Sequence, residues 1–236
     1  MQFDQKVVLI TGAAGALGRA AVQAFAEQGA TLVLTDHNRE RLGLLRSELG
    51  LSPERCHIHQ ADITRLDEAK SFADATEQAV SRIDAAIHIA GGFRMGVTHE
   101  STEADWNYLM DLNARSAFNL AHGVVPVMKR GGGGSIVFIG SRSALQGPAD
   151  MGLYAASKAA LLRLCESMAA ELAELNIRVN CVLPSILDTP ANRQNMPAAD
   201  PARWVRPESL AQVILFLCST AARDISGAAI PVFGRS

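Results

Sequence analysis

Short apolar runs alternate with longer stretches of helical composition along the whole chain. Val7-Val8-Leu9-Ile10 is entirely apolar, as expected of a parallel strand covered on both faces. A glycine turn and a helical stretch to Gln28, closed by Gly29, come next. The pattern then predicts strands over Thr31 to Thr35, Cys56 to Gln60, Ala85 to Ile89, Ser135 to Gly140, Ile177 to Leu183 and near Ala228 to Val232. Between them it predicts helices over Asn38 to Leu49, Leu66 to about Ser81, Thr102 to Arg130 with an interruption at Pro126, Gly152 to Leu175, and Glu208 to about Thr220. Pro184 to Pro207 is proline-rich and irregular. Strand and helix alternating throughout mean an α/β fold, a doubly wound parallel sheet with helices on both faces. No internal repeat or linker divides residues 1–236, so one domain is expected.

Composition narrows the function classes. A chain of 236 residues, 48% hydrophobic, buries about 70–75% of its extended surface and needs no disulfide or metal staple. Net charge is −2 with no basic stripe, which argues against nucleic acid as a partner. Cys56, Cys165, Cys181 and Cys218 show no Cys-x2-Cys spacing, and three of them lie in apolar runs. They read as buried, reduced thiols rather than ligands, so no metal is expected. No apolar stretch is long enough to span a membrane. The strand beginning near Lys6 leaves no room for a signal peptide, so a cytoplasmic location is expected.

Three features carry chemistry. The turn Thr11-Gly12-Ala13-Ala14-Gly15-Ala16-Leu17-Gly18 lies between a strand and a helix, the context of a dinucleotide-binding loop. Its glycines allow close approach of a pyrophosphate, and the helix N-terminus adds amides and partial positive charge. Asp36 ends the second strand, 24 residues beyond Gly12, where an acidic residue can accept from ribose hydroxyls and repel a 2′-phosphate. That favours NAD over NADP, although Arg19 and Arg39 are near in sequence and keep NADP possible. Asp36 could instead cap the next helix, a role equally open to Asn38. Finally, Tyr154 and Lys158 share a helix face one turn apart, and Ser141 precedes Tyr154 by 13 residues at the end of a strand. An ammonium beside a phenol is expected to pull the phenol pKa down and make it an acid or base near neutral pH.

Taken together, these motifs resemble the short-chain dehydrogenases/reductases from Val7 to Gly234. The likeness rests on the Thr11–Gly18 turn, Asp62-Ile63, Ala90-Gly91, Asn113 within Leu112-Asn113-Ala114, the Ser141/Tyr154/Lys158 triple, and Ile177-Arg178-Val179-Asn180 leading to Pro184. The resemblance implies a Rossmann-type fold and hydride transfer between nicotinamide and a carbonyl or secondary alcohol. It implies a pyrophosphate at Gly12, Leu17 and Gly18, with Gly15 in the same turn, and an adenosine ribose at Asp36. It places the adenine at Asp62 and Ile63, and the nicotinamide ribose at Ala90, Gly91 and Lys158. Leu187 and Thr189 would meet the carboxamide, and Asn113 would fix a water linking Lys158 to solvent. A homodimer or homotetramer through the Thr102–Arg130 and Gly152–Leu175 helices is also implied, though leucines there could equally pack on the sheet.

Three positions depart from the family pattern. Gly15 and Ala16 replace the usual order in the glycine turn, His88-Ile89 stands for the usual Asn-Asn, and Ser185 follows Pro184 where glycine is usual. His88 reads better as a core or rim residue than as a catalyst. Gly15-Ala16-Leu17-Gly18, Asp188 to Arg193, Met196-Pro197, Asp200 and Trp204 look like the quinonoid dihydropteridine reductases of the same superfamily, which use NADH but lack the serine that Ser141 supplies here. A non-catalytic NAD(H)-sensing protein is a further alternative. Substrate choice is expected at Phe93, Arg94 and Met95, at Ser143, Leu145 and Gln146, and at a lid around residues 190–207, where Met196 and Trp204 would seat it. Arg94, Arg142 and Arg193 admit an anionic substrate, but read better as solvated surface arginines.

Overall fold

The computed structural model describes residues 2–235. Seven strands form one parallel sheet: β1 (Val7–Thr11), β2 (Thr31–Asp36), β3 (Cys56–Gln60), β4 (Ala85–His88), β5 (Gly134–Ile139), β6 (Ile177–Pro184) and β7 (Ala229–Val232), in the order β3-β2-β1-β4-β5-β6-β7. The eight α-helices are α1 (Ala16–Glu27), α2 (Arg39–Glu48), α3 (Leu66–Val80), α4 (Glu103–Met110), α5 (Ser116–Arg130), α6 (Gly152–Glu171), α7 (Pro190–Asn195) and α8 (Pro207–Cys218).

Period-two alternation sends the strand side chains to two cores. Val8, Ile10, Leu32, Leu34 and Ile87 pack with α1, α2 and α8. Val7, Leu9, Val33, Ile136 and Phe138 pack with α3, α5 and α6. Each such side chain contributes about 1.5–3 kcal/mol, enough to fix the register that sets every site residue. The chain runs outward from β1 to β3, then returns past β1 to β4, so the order reverses between β1 and β4. In open α/β sheets the crevice at the carboxyl ends beside that reversal is where ligands bind.

Several boundaries differ from those expected. Ile89 and Gly140 lie beyond their strands, and α6 stops at Glu171, followed by a short 3-10 turn at Ala173–Leu175. The expected helix over Thr102 to Arg130 is divided by a π-helical segment, Asp111–Arg115, and not by Pro126. Pro126 lies near the end of α5 on its exposed side, where water can take the carbonyl it leaves unbonded. The irregular stretch contains α7, entered through Pro190 and capped by Thr189, whose hydroxyl accepts from the Asn192 amide at 3.2 Å.

Candidate active site

The glycine turn is built against its neighbours rather than merely flexible. Gly12 has φ +63°, and a Cβ there would lie 2.7 Å from the Ala90 nitrogen. A Cβ on Gly18 would overlap the Gly12 carbonyl oxygen. Gly15, at φ −77°, is less constrained: its Cβ would lie 3.3 Å from that oxygen. Glycine order can therefore shift to Gly15-Ala16 without changing the turn. No side chain caps α1 and no acidic residue sits in its first turn, so its N-terminus suits an anion. These features fit a dinucleotide pyrophosphate.

Asp36 is buried and holds this turn to β2. Its Oδ2 accepts from the Ala14 amide at 3.2 Å, and its Oδ1 accepts from the Asn38 amide at 3.3 Å and lies 2.9 Å from His37 Nδ1. A carboxylate still has lone pairs to offer a ribose after these bonds. Asn38, not Asp36, caps α2 by accepting from the Arg41 amide at 3.0 Å. Arg19 pairs with Glu48. Asp62 is exposed, accepting from the Thr64 amide and hydroxyl at 3.0 and 2.6 Å, while Ile63 is buried.

Ala90, Gly91, Asn113 and Lys158 converge. A Cβ on Gly91 would lie 2.8 Å from Asn113 Oδ1 and 3.3 Å from Lys158 Nζ. The π-helical segment turns Asn113 inward, where Oδ1 accepts from the Gly92 amide at 3.0 Å. Its Nδ2 donates to the Gly92 carbonyl at 2.9 Å and to Ser157 Oγ at 3.0 Å. Asn113 thus clamps the strand end to α6. Sequence reasoning missed Gly92 and Ser157 in this clamp; the one signal for Ser157 was its place one turn beyond Tyr154.

Ser141 follows β5 in extended conformation and its hydroxyl accepts from the Ser143 amide at 3.1 Å. Tyr154 stands in the first turn of α6, and Lys158 is buried one turn on. The expected coupling between these last two is corrected here. Lys158 Nζ lies 6.0 Å from the Tyr154 ring centroid and donates to the Ile139 carbonyl at 2.8 Å. Burial raises the Tyr154 pKa, against a smaller lowering by its hydrogen bond with Ser141. Burial also pushes Lys158 down to about 8. Desolvation outweighs an ion–phenol attraction acting at that separation. The phenol therefore keeps its proton at neutral pH and is bonded to Ser141.

His88 is buried beneath this site. Ser116 Oγ donates to the Leu112 carbonyl at 2.6 Å, so its oxygen can only accept from His88 Nε2, 3.0 Å away. His88 Nδ1 then accepts from the Thr11 hydroxyl at 3.1 Å, and Thr11 Oγ1 accepts from the Ala90 amide at 3.3 Å. The network assigns one neutral tautomer. Burial depresses the pKa to about 3, in agreement. This is a structural histidine, as its sequence context suggested.

Leu187 pairs with Val205 across an isolated bridge, and Thr189 caps α7. In the stretch expected to form a lid, Trp204 is buried and Met196 half-buried. The three arginines near the site are exposed, as expected, and each also has a partner. Arg94 pairs with Asp105 at 2.6 Å and stacks 3.9 Å over Tyr108. Arg193 holds Asp188 through two bonds of 2.6 and 2.8 Å. Arg142 lies 5.2 Å over the Phe233 ring. Among the described residues no helix is long and apolar enough to cross a membrane, and no cluster is suited to a metal ion.

Comparison with known proteins matches residues 6–200 to the short chain dehydrogenase family. Over 99% of its length the chain is 34% identical to a 3-oxoacyl-[acyl-carrier-protein] reductase of Thermotoga maritima, covering 98% of that protein. Among solved structures, a short-chain dehydrogenase/reductase of Brucella melitensis, also described as a glucose/ribitol dehydrogenase, superposes with a TM-score of 0.92 at 32% identity. That match covers 99% of this chain and 97% of the other. A 7α-hydroxysteroid dehydrogenase complexed with NADH and 7-oxo glycochenodeoxycholic acid has a TM-score of 0.89 at 33% identity, covering 100% and 95%.

Proposed function

The chain belongs to the short-chain dehydrogenase/reductase family of oxidoreductases, and on that premise we propose that it interconverts a carbonyl compound and its secondary alcohol, with Tyr154 as general acid and base. The observation that carries this reading is the Tyr154 hydroxyl bonded to Ser141, with the Tyr154 ring 6.0 Å from buried Lys158 Nζ, which itself borders Gly91. Gly12, Gly15, Leu17 and Gly18 would hold a dinucleotide pyrophosphate, Asp36 its adenosine ribose, and Asp62 and Ile63 its adenine. Ala90, Gly91, Lys158, Leu187 and Thr189 would hold the nicotinamide end. When bound, the nicotinamide gives or takes the hydride.

In reduction the carbonyl carbon gains a C–H bond, and the Tyr154 O–H bond breaks as its proton goes to the carbonyl oxygen. Ser141 donates to that oxygen as negative charge develops on it. Solvent then restores the phenol proton. In oxidation Tyr154 must first lose its proton, so that direction needs the higher pH. Asp36 and the engagement of Arg19 by Glu48 favour NAD over NADP. Ser141 weighs against the dihydropteridine reductase alternative, whose members lack it. Tyr154→Phe should cut turnover by about 10²–10⁴-fold while the melting temperature and NADH affinity stay unchanged. Turnover like that of the parent would remove Tyr154 from the mechanism. A homodimer or homotetramer through α5 and α6 is part of the same reading, and sedimentation showing only monomer would remove it.

A further inference from the structure

Phe93 meets the Tyr154 ring edge to face, with centroids 4.9 Å apart and planes at 84°, yet it is 52% exposed. About half of the Phe93 side chain is thus open to solvent beside the Tyr154 ring. The backbone that carries it is held firmly. A Cβ on Gly92, the preceding residue, would lie 2.8 Å from Leu112 Cδ1 and 3.0 Å from Tyr108 Cε1. Asn113 grips both the amide and the carbonyl of Gly92. Other exposed apolar side chains border the same helix end. Met95 is 60% exposed and precedes Gly96, whose amide donates to the Asp150 carbonyl at 2.8 Å. Leu145 is 55% exposed at the end of the turn that Ser141 begins.

The cations nearby are turned to other tasks. Arg94 is paired with Asp105, which also completes the capping box of α4 with Thr102, and Arg193 is closed on Asp188. Arg142 lies over Phe233. Recruiting Arg94 or Arg193 for an anion would break a charge-assisted pair, and the replacement would regain only what was lost. We infer that the substrate is an uncharged ketone or secondary alcohol whose apolar ring or chain lies on Phe93, and that Phe93 selects it. This rests on the redox reading above and deepens it by naming the substrate class.

The test compares ethyl benzoylformate with benzoylformate, and both with 2-butanone, using NADH. The uncharged ester should exceed the acid in kcat/KM by about tenfold or more, the scale of one desolvated charge left unpaired. Phe93→Ala should lower kcat/KM for the ester about tenfold through KM, with a smaller loss for 2-butanone and a partial recovery in Phe93→Leu. Equal or better use of the acid, or an ester-to-butanone ratio unmoved by Phe93→Ala, would overturn the inference. If NADH binds but no ketone is reduced, the redox reading fails by itself. Binding of the ester and acid to the NADH complex, followed by tryptophan fluorescence, then decides the substrate class. Tighter ester binding that weakens in Phe93→Ala keeps it, and tighter acid binding rejects it.

Discussion

His88 and Thr35 both lie opposite Thr11, on the two strands that flank β1, yet their replacement should act in opposite directions. His88 has both ring nitrogens bonded, to Thr11 and Ser116. His88→Leu leaves the Thr11 hydroxyl hydrogen without its acceptor and takes a donor from Ser116 Oγ, which keeps its bond to the Leu112 carbonyl, at a total cost of roughly 1–3 kcal/mol. Urea unfolding should show a loss on that scale, and a loss below about 0.5 kcal/mol would mean the hydroxyls find other partners. Thr35, also buried, has a hydroxyl with no hydrogen-bond partner among the described residues. Thr35→Val keeps the shape and the strand preference while removing that unmet group, so it should stabilise by about 1 kcal/mol in the same assay. A clear loss on Thr35→Val would show that the hydroxyl is bonded in solution. Neither sign was legible in the sequence. A polar residue in an apolar run announces burial, but its partners here lie 77 and 28 residues away.

Among the elements, strands and long helices were legible because their apolar periods match the faces they bury. The Ser141, Tyr154 and Lys158 spacing also placed those residues close together, with Tyr154 bonded to Ser141 and its ring 6.0 Å from Lys158 Nζ. The π-helical segment was not legible. Its composition continues the helices on either side, and only the need to aim Asn113 at Gly92 sets it apart. The six-residue α7 was missed because it is too short for a period to show. The Tyr154–Lys158 coupling was misjudged because i,i+4 spacing fixes a shared face, not the distance between side-chain ends or their burial. The glycine turn was located correctly, but its glycines are not equivalent. Gly12→Ala would meet Ala90 at 2.7 Å in a left-handed conformation. Gly15→Ala would meet only one oxygen at 3.3 Å in ordinary backbone geometry. NADH titration should show a loss of about 5- to 150-fold for Gly12→Ala, from about 1–3 kcal/mol of strain, and a smaller loss for Gly15→Ala. Equal losses would mean that the dinucleotide touches Gly15 more closely than Gly12.

For the whole molecule, the net charge of −2 says little about pH response, because the buried groups control it. Each group that titrates only in the unfolded chain tilts stability by about 1.4 kcal/mol per pH unit. His88 is depressed to about 3 from 6.5, so as pH falls below 6.5 the unfolded state takes up a proton that the folded state refuses. Stability therefore falls on that side. Lys158 is depressed to about 8 from 10.5. Between those values the folded chain has lost a proton that the unfolded chain retains, and stability rises with pH. The thiols oppose this. Burial raises Cys56 and Cys181 to about 11 and Cys218 to about 12, and raises Cys165 as well, all from 9.0. Above pH 9 the unfolded chain gives up thiol protons that the folded chain keeps, and four such groups outweigh one lysine. Among these groups the balance places the stability maximum between pH 8 and 9, with a steep alkaline fall. Urea unfolding across pH should trace that curve. Replacing Cys56 and Cys181 with alanine lowers stability everywhere, but it should also shrink the alkaline slope by about two-thirds, from a net three groups to one. An unchanged slope would show that the thiols are not what limits the fold at high pH.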